Sequence, residues 1–225
     1  MGCAQGRPQS GPQSRPQCCG VEQLFDSRFV RLERWKHRLL GPPKTTRRLI
    51  EALRVLDEPA ASALDVGGGL GAIQEAMARH GVDRIEVVDA APAYLEAARR
   101  RAEEGGYVDR VTFRAGDFVE LADEVGAADV VTLDRVICCY DDVEALVGRS
   151  TEKCRRYYGL VYPRPGGPMR GVRRVANLIS SLRGSPYRFY LHEEGLVRGL
   201  VRAAGFERCW SDRGWMWHVE VYRRR

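Results

Sequence analysis

Residues 63–74 read ALDVGGGLGAIQ. A short apolar run broken by one acid, Asp65, leads into Gly67, Gly68 and Gly69, with a fourth glycine at Gly71. The run before the glycines reads as a strand. The residues after them, GAIQEAMARHG, carry apolar side chains at helical spacing and stop at Gly81. Glycines between a strand and a helix permit a tight turn and close backbone approach. The first N–H groups and the positive end of the helix then face whatever sits on the turn.

The same alternation continues outward. RIEVVDA reads as a strand and PAYLEAARRRAEEGG as a helix, with Pro92 near its first turn. RVTFRAGD and ADVVTLD are strands, DVEALVGRSTEKC a helix and YYGLVYP a strand. Repeated strand–helix units imply a mostly parallel sheet covered on both faces. Residues 163–190 interrupt the rhythm. LHEEGLVRGLVRAAGF resumes as a helix, and ERCWSD and WMWHVEVYRR close the chain as a hairpin that puts an antiparallel strand in the sheet. The expected fold is α/β: a doubly wound, mostly parallel seven-stranded Rossmann-like sheet with a reversed last strand and an N-terminal helical arm.

Toward the N-terminus, residues 21–40 place Val21, Leu24, Phe25, Phe29, Leu32 and Trp35 near helical spacing, and GPP at 41–43 ends that helix. KTTRRLIEALRVL starts a second helix, with Thr45 or Thr46 as its N-cap and Leu49, Ile50, Leu53 and Leu56 as its buried stripe. Residues 1–20, with Pro-Gln-Ser units and little that is apolar, are expected to be disordered. The division expected is a tail (1–20), a helical arm or cap (21–58) and a ligand-binding domain (59–225) with a lid insert at 163–190. Within the insert, Val172, Val175, Leu178, Ile179 and Leu182 form an apolar stripe expected to pack on the domain, with Arg170, Arg173 and Arg174 beside it.

The 225 residues suffice for one domain with a small appendage, and no apolar run approaches the ~20 residues that span a bilayer. MGCAQG resembles an acylation signal but has Gly6 where Ser or Thr is required. With no secretory signal visible, and seven cysteines that do not read as a disulfide framework, a cytoplasmic location is expected. The net charge of +6 suits a solvated basic surface or an anionic partner: a carboxylate-bearing substrate, a membrane surface contacted peripherally, or nucleic acid, for which no recognition motif is present.

Three ligand classes use such a glycine turn. The triphosphate loop needs Gly-Lys-Ser/Thr, which this chain lacks. The dinucleotide pattern G-x-G-x-x-G/A is met by Gly67, Gly69 and Ala72, which keeps an NAD(P)-dependent oxidoreductase open. Asp65 favours the third class. A carboxylate aimed into the turn repels a pyrophosphate and suits the sulfonium and ammonium of S-adenosylmethionine. Asp89 ends the second strand, where a carboxylate can accept both ribose hydroxyls. Asp117 follows the third strand, where it can accept from the adenine amino group with Phe118 beside the ring.

With Asp65, Gly67, Gly69, Gly71, Asp89 and Asp117 in sequence, the chain resembles the class I S-adenosylmethionine-dependent methyltransferases over roughly residues 45–225. The resemblance implies that these residues and the Asp134 region line the cofactor cleft. LFDSRFVRLERW and KTTRRLIEAL also resemble the N-terminal arm of magnesium-protoporphyrin O-methyltransferases, through Phe25, Arg34, Trp35 and Thr45–Thr46. Leu39 and Leu40 stand where that family has a tyrosine, so the resemblance implies an arm that closes over the cofactor rather than a porphyrin substrate.

Methyl transfer needs positioning more than strong base catalysis. Residues 133–142, LDRVICCYDD, are expected to face the acceptor and lack the Asn/Asp-Pro-Pro-aromatic box of amino-group methyltransferases. Tyr140 and His192 are the candidate catalytic groups, and Cys138, Cys139, Tyr140 and His192 the candidate substrate pocket. The expected activity is O- or C-methylation of a small organic molecule. Cys138–Cys139 with Cys18–Cys19 keep a metalloid methyltransferase open, although no resident metal is expected. A non-catalytic S-adenosylmethionine-binding protein or a nucleic-acid-binding protein stays open as well.

Overall fold

The computed structural model describes residues 20–21, 25, 27–54 and 59–225. Seven strands form one sheet in the order β3-β2-β1-β4-β5-β7-β6. They are β1 (Ser62–Val66), β2 (Arg84–Asp89), β3 (Val111–Ala115), β4 (Ala128–Asp134), β5 (Cys154–Pro163), β6 (Phe206–Arg213) and β7 (Trp217–Arg224). The first five are parallel. β7 runs antiparallel between β5 and β6, the reversed last strand expected from the closing hairpin.

Eight helices are described: α1 (Ser27–Leu40), α2 (Lys44–Arg54), α3 (Ala72–Arg79), α4 (Pro92–Glu104), α5 (Phe118–Leu121), α6 (Val143–Glu152), α7 (Gly167–Leu182) and α8 (Glu194–Ala203). One sheet face is covered by α2, α3 and α4 through Leu49, Leu53, Ile73, Met77 and Leu95. The other is covered by α6 and α8 through Leu146, Val147, Val197 and Val201, with Tyr158 and Phe206 between them. All five β1 residues are buried, as a central strand covered on both faces requires. Neighbours β2 and β4 lead away from β1 in opposite directions, so the C-terminal ends of β1 and β4 flank the switch point where open α/β sheets place ligands.

Three features differ from what the sequence pattern suggests. α1 follows the helical residues Gly20 and Val21, and Phe29, Leu32 and Trp35, at helical spacing, do not form its buried face. Val30 is the buried residue of α1, whereas Phe29, Leu32 and Trp35 are exposed, because α1 rests on α4 by another side. Neither Thr45 nor Thr46 caps α2. The helix begins at Lys44, after Pro43, and the Thr46 hydroxyl instead donates to Asp134 at 2.5 Å. The α7 stripe does not pack on the domain: Val172, Val175, Leu178, Ile179 and Leu182 are all exposed, and the helix buries only Met169 and Ser180. Residues 1–19, with Cys18 and Cys19, and also Leu24 and Leu56, lie outside the described residues.

Candidate active site

The glycine turn sits at the switch point. Gly67, Gly69 and Gly71 have φ of 67°, 52° and 78°, a region that L side chains avoid. The Gly67 N–H donates to the Val88 carbonyl at 2.7 Å, which ties the turn to β2. Gly68 leaves no room for a side chain, since an added Cβ would lie 2.3 Å from Gln74 Nε2 and 2.7 Å from Val87 Cγ1.

A cleft opens over this turn. Gly67, Gly69, Asp89, Asp117, Phe118, Asp134, Arg135, Val136, Cys139 and Tyr140 line it, and Val21, Phe25, Glu33, His37 and Tyr94 close its far side. Asp89 ends β2 and is held from both sides: Oδ2 accepts from Gly69 N–H at 3.0 Å and Oδ1 from Ala91 N–H at 2.8 Å. Burial raises its pKa to about 6, against the pull of those two bonds. The lining carries the carboxylates of Glu33, Asp89, Asp117 and Asp134, with Arg135 as the permanent cation among the described residues. Such a surface is unfavourable for a pyrophosphate and suited to a cationic ligand. The turn with its positive φ values and the acids on three strand ends fit the adenosyl and aminoacyl parts of S-adenosylmethionine.

The Asp65 carboxylate lies under the turn, 2% exposed, and lines a small recess with Gly67, Gly68, Gly69 and Asp134 rather than the main cleft. Oδ1 accepts from the Thr132 hydroxyl at 2.7 Å and Oδ2 from Gln74 Nε2 at 3.2 Å. Burial raises its pKa to about 7, opposed by those two bonds. Asp65 therefore props the turn through Gln74, which also donates to the Gly68 carbonyl at 3.3 Å.

Asp117 is drawn toward Tyr140. It caps α5 by accepting from Val119 N–H at 2.8 Å, and the Tyr140 hydroxyl donates to both of its oxygens at 2.9 and 2.8 Å. Tyr140 thus borders the cleft with its hydroxyl turned onto Asp117, and so does not offer it as an acid–base group. His192 is absent from the cleft lining. Its Nε2 lies 2.8 Å from the Tyr140 carbonyl, its ring stacks on Tyr190, and it precedes α8 rather than joining its first turn. Cys139 lines the cleft 3.4 Å from the Tyr187 hydroxyl, and buried Cys138 sits behind it with the two sulfurs 3.8 Å apart. Their mutual hydrogen bond is the largest influence on both, pushing the Cys138 thiol up and the Cys139 thiol down. No group of three or more His, Cys, Asp or Glu arranged to hold a metal is found among the described residues.

Arg135, inside the stretch expected to face the acceptor, adopts φ 61°, rare for a residue with a side chain, and its N–H is held by the Val161 carbonyl at 2.9 Å. Two cleft residues of α1 escape sequence reasoning. His37 reaches the cleft from α1 with a buried Nδ1 that has no hydrogen-bond partner among the described residues, and burial, then Arg101, lowers its pKa. Glu33 accepts from the Tyr94 hydroxyl at 2.6 Å, which pins α1 to α4 across the cleft.

Residues 63–155 match the family model described as a methyltransferase domain. That stretch carries an S-adenosylmethionine-dependent methyltransferase domain, and the fold around it is that of the class I enzymes. The cofactor of this domain family is S-adenosylmethionine. A stretch of 89 residues is 38% identical to a ubiquinone biosynthesis O-methyltransferase of Azorhizobium caulinodans, covering 40% of this chain and 34% of that one. The match therefore spans about a third of that relative's length. Among solved structures, magnesium protoporphyrin IX methyltransferase of Synechocystis, determined with S-adenosylhomocysteine bound, aligns with a TM-score of 0.69 at 19% identity over 93% of this chain and all of that one. An O-methyltransferase family 2 protein of Planctomyces limnophilus, in complex with apigenin, aligns with a TM-score of 0.63 at 20% identity over 96% of this chain and 63% of that one. At these identities the likeness is one of fold. It agrees with the methyltransferase domain having its reversed strand and N-terminal helices. No described helix is long and apolar enough to cross a membrane.

Proposed function

We propose that the protein moves a methyl group from S-adenosylmethionine to oxygen or carbon of a small organic acceptor. The observation that carries this reading is the acid-lined cleft at the β1/β4 switch point, with Asp89 bridging the glycine turn and the end of β2. Bound there, S-adenosylmethionine would supply a methyl carbon already activated by its sulfonium. Asp89 would accept the ribose hydroxyls, Asp117 and Phe118 would border the adenine, and Gly67, Gly69 and Asp134 would border the aminoacyl end. Asp65 and Gly71 would shape the turn from below.

The acceptor would enter between the arm and the segment after β4. Val136, Leu70 and Phe25 offer it an apolar wall, and Arg135 offers a partner for an acceptor carboxylate. The absence of an amino-group methyltransferase box and the names of the relatives, O-methyltransferases among them, favour oxygen over nitrogen. The remaining work would be positioning and exclusion of water, for which the described part of the arm, through Phe25, Glu33 and His37, would form the cap. His37, held neutral by burial, is the group suited to take the acceptor's proton.

The test is incubation with labelled methyl donor and a fractionated metabolite extract. A labelled ether or C-methyl product supports the reading, and on that acceptor His37→Ala should slow turnover while leaving cofactor binding intact. Label appearing only on protein or nucleic acid would overturn the choice of acceptor class.

A further inference from the structure

α7 is amphipathic with its apolar side facing outward. At 3.6 residues per turn, Val172, Val175, Leu178, Ile179 and Leu182 share one face. They are between 42% and 79% exposed. Elements of a soluble domain ordinarily bury such a face. The segment 164–188 also contains six arginines and no acidic residue. Arg174 borders the stripe on one side and Arg183 on the other, both exposed. α1 repeats the pattern with Leu32, Trp35 and Leu39 outward and with Arg31 and Lys36 beside them. Residues flanking the two helices meet beside the cleft. Phe25 lies 5.4 Å from Phe29 of α1 and 6.4 Å from Tyr187 just beyond α7, by ring centroids, and Phe25 itself lines the cleft.

We propose that α7, with the outer face of α1, docks the protein on an anionic lipid surface with the cleft mouth turned toward it. Apolar side chains enter the acyl boundary while the flanking arginines meet the head groups, the arrangement of an interfacial helix. An exposed apolar stripe alone would equally fit a second copy of the chain. The cationic rim decides for lipid, because two copies would bring the same arginines together. Docked in this way, the cleft would receive an acceptor dissolved in the lipid without its passing through water. The inference stands apart from methyl transfer, since lipid binding can be read without cofactor or acceptor.

The experiment is co-sedimentation of the full chain with phosphatidylcholine vesicles containing or lacking phosphatidylglycerol. Binding is expected with phosphatidylglycerol, weakening as salt rises. The triple variant Val175→Ser, Leu178→Ser, Leu182→Ser should lower partitioning by more than about tenfold. Arg174→Gln with Arg183→Gln should lower it specifically for the anionic vesicles. Unchanged melting of both variants by circular dichroism separates lost docking from lost fold. Absence of binding to anionic vesicles by the wild-type chain would overturn the proposal. So would equal binding by the serine variant, or a wild-type dimer in sedimentation velocity that the serine variant dissolves.

Discussion

At the scale of the residue, the two strand-end acids of the glycine turn divide the work. Asp65 holds the turn from beneath, and Asp89 lines the cleft above it. The pKa of Asp65 in the folded chain is about 7, well above its ordinary 3.8. Its neutral form is therefore the one that folding favours. That contribution is complete below the ordinary value and is lost as pH rises through about 7. The melting temperature should fall between about pH 4 and about pH 7. Asp65→Asn should flatten much of that fall, leaving the smaller part due to Asp89, whose folded value is about 6. An unaltered pH profile of melting in the variant would show that Asp65 does not titrate in this range. Asp89→Ala should weaken S-adenosylhomocysteine binding by more than about tenfold, read by calorimetry, because charge-assisted bonds to the ribose are lost; unchanged affinity would remove Asp89 from the site.

The residue types at this site are legible in the sequence, but their directions are not. Asp65 and Asp89 can be found from the spacing of strand and glycine. That Asp65 points under the turn depends on the β1–β4 register, which sets it directly beside Thr132, 67 residues away. Likewise the Tyr140 hydroxyl looks available in sequence and is turned onto Asp117 by the fold. His37 has no motif to announce it and arrives on an arm whose docking is tertiary. Arg135 stands out within its stretch only through its backbone angle.

At the scale of the element, periodicity identifies helices and strands but not what covers them. The alternation from β1 to β5 and the closing hairpin is readable because each unit carries its own breaker and apolar run. For α7 the apolar spacing predicts burial, and the helix presents that face outward, as α1 does with Leu32, Trp35 and Leu39. β7 shows the opposite case, an acid in a central strand. Glu220, with none of its surface exposed, accepts from the hydroxyls of Tyr162 at 2.8 Å and Tyr222 at 2.7 Å and pairs with Arg198 and Arg208. Burial would raise its pKa, but the Arg198 bond and the two hydroxyls outweigh it and hold the value at about 2. Its contribution to stability is present above the ordinary 4.5 and is lost as pH falls toward 2. Glu220→Gln leaves Arg198 with Glu194 as its remaining carboxylate partner and removes the charged acceptor of Arg208, Tyr162 and Tyr222, and should cost about 2 kcal/mol in urea unfolding at neutral pH. A change below about 0.5 kcal/mol would mean that the cluster is incidental to the sheet.

At the scale of the whole molecule, the doubly wound sheet puts the ends of β1, β2, β3 and β4 around one cleft, and the arm reaches across it. Thr46 bonds Asp134, Tyr94 bonds Glu33, and Phe25 lies against Tyr94 with ring centroids 5.1 Å apart. These contacts join elements far apart in sequence around a surface rich in carboxylates. Such a surface discriminates between ligands by charge: it accepts an adenosyl group bearing a cationic amino acid and opposes a bridging pyrophosphate. The most direct measurement is titration calorimetry of the full chain with S-adenosylhomocysteine and, separately, with NADH. Saturable heat with the first and none with the second is the expected result. Tight uptake of NADH with no heat from S-adenosylhomocysteine would contradict the assignment of the cleft.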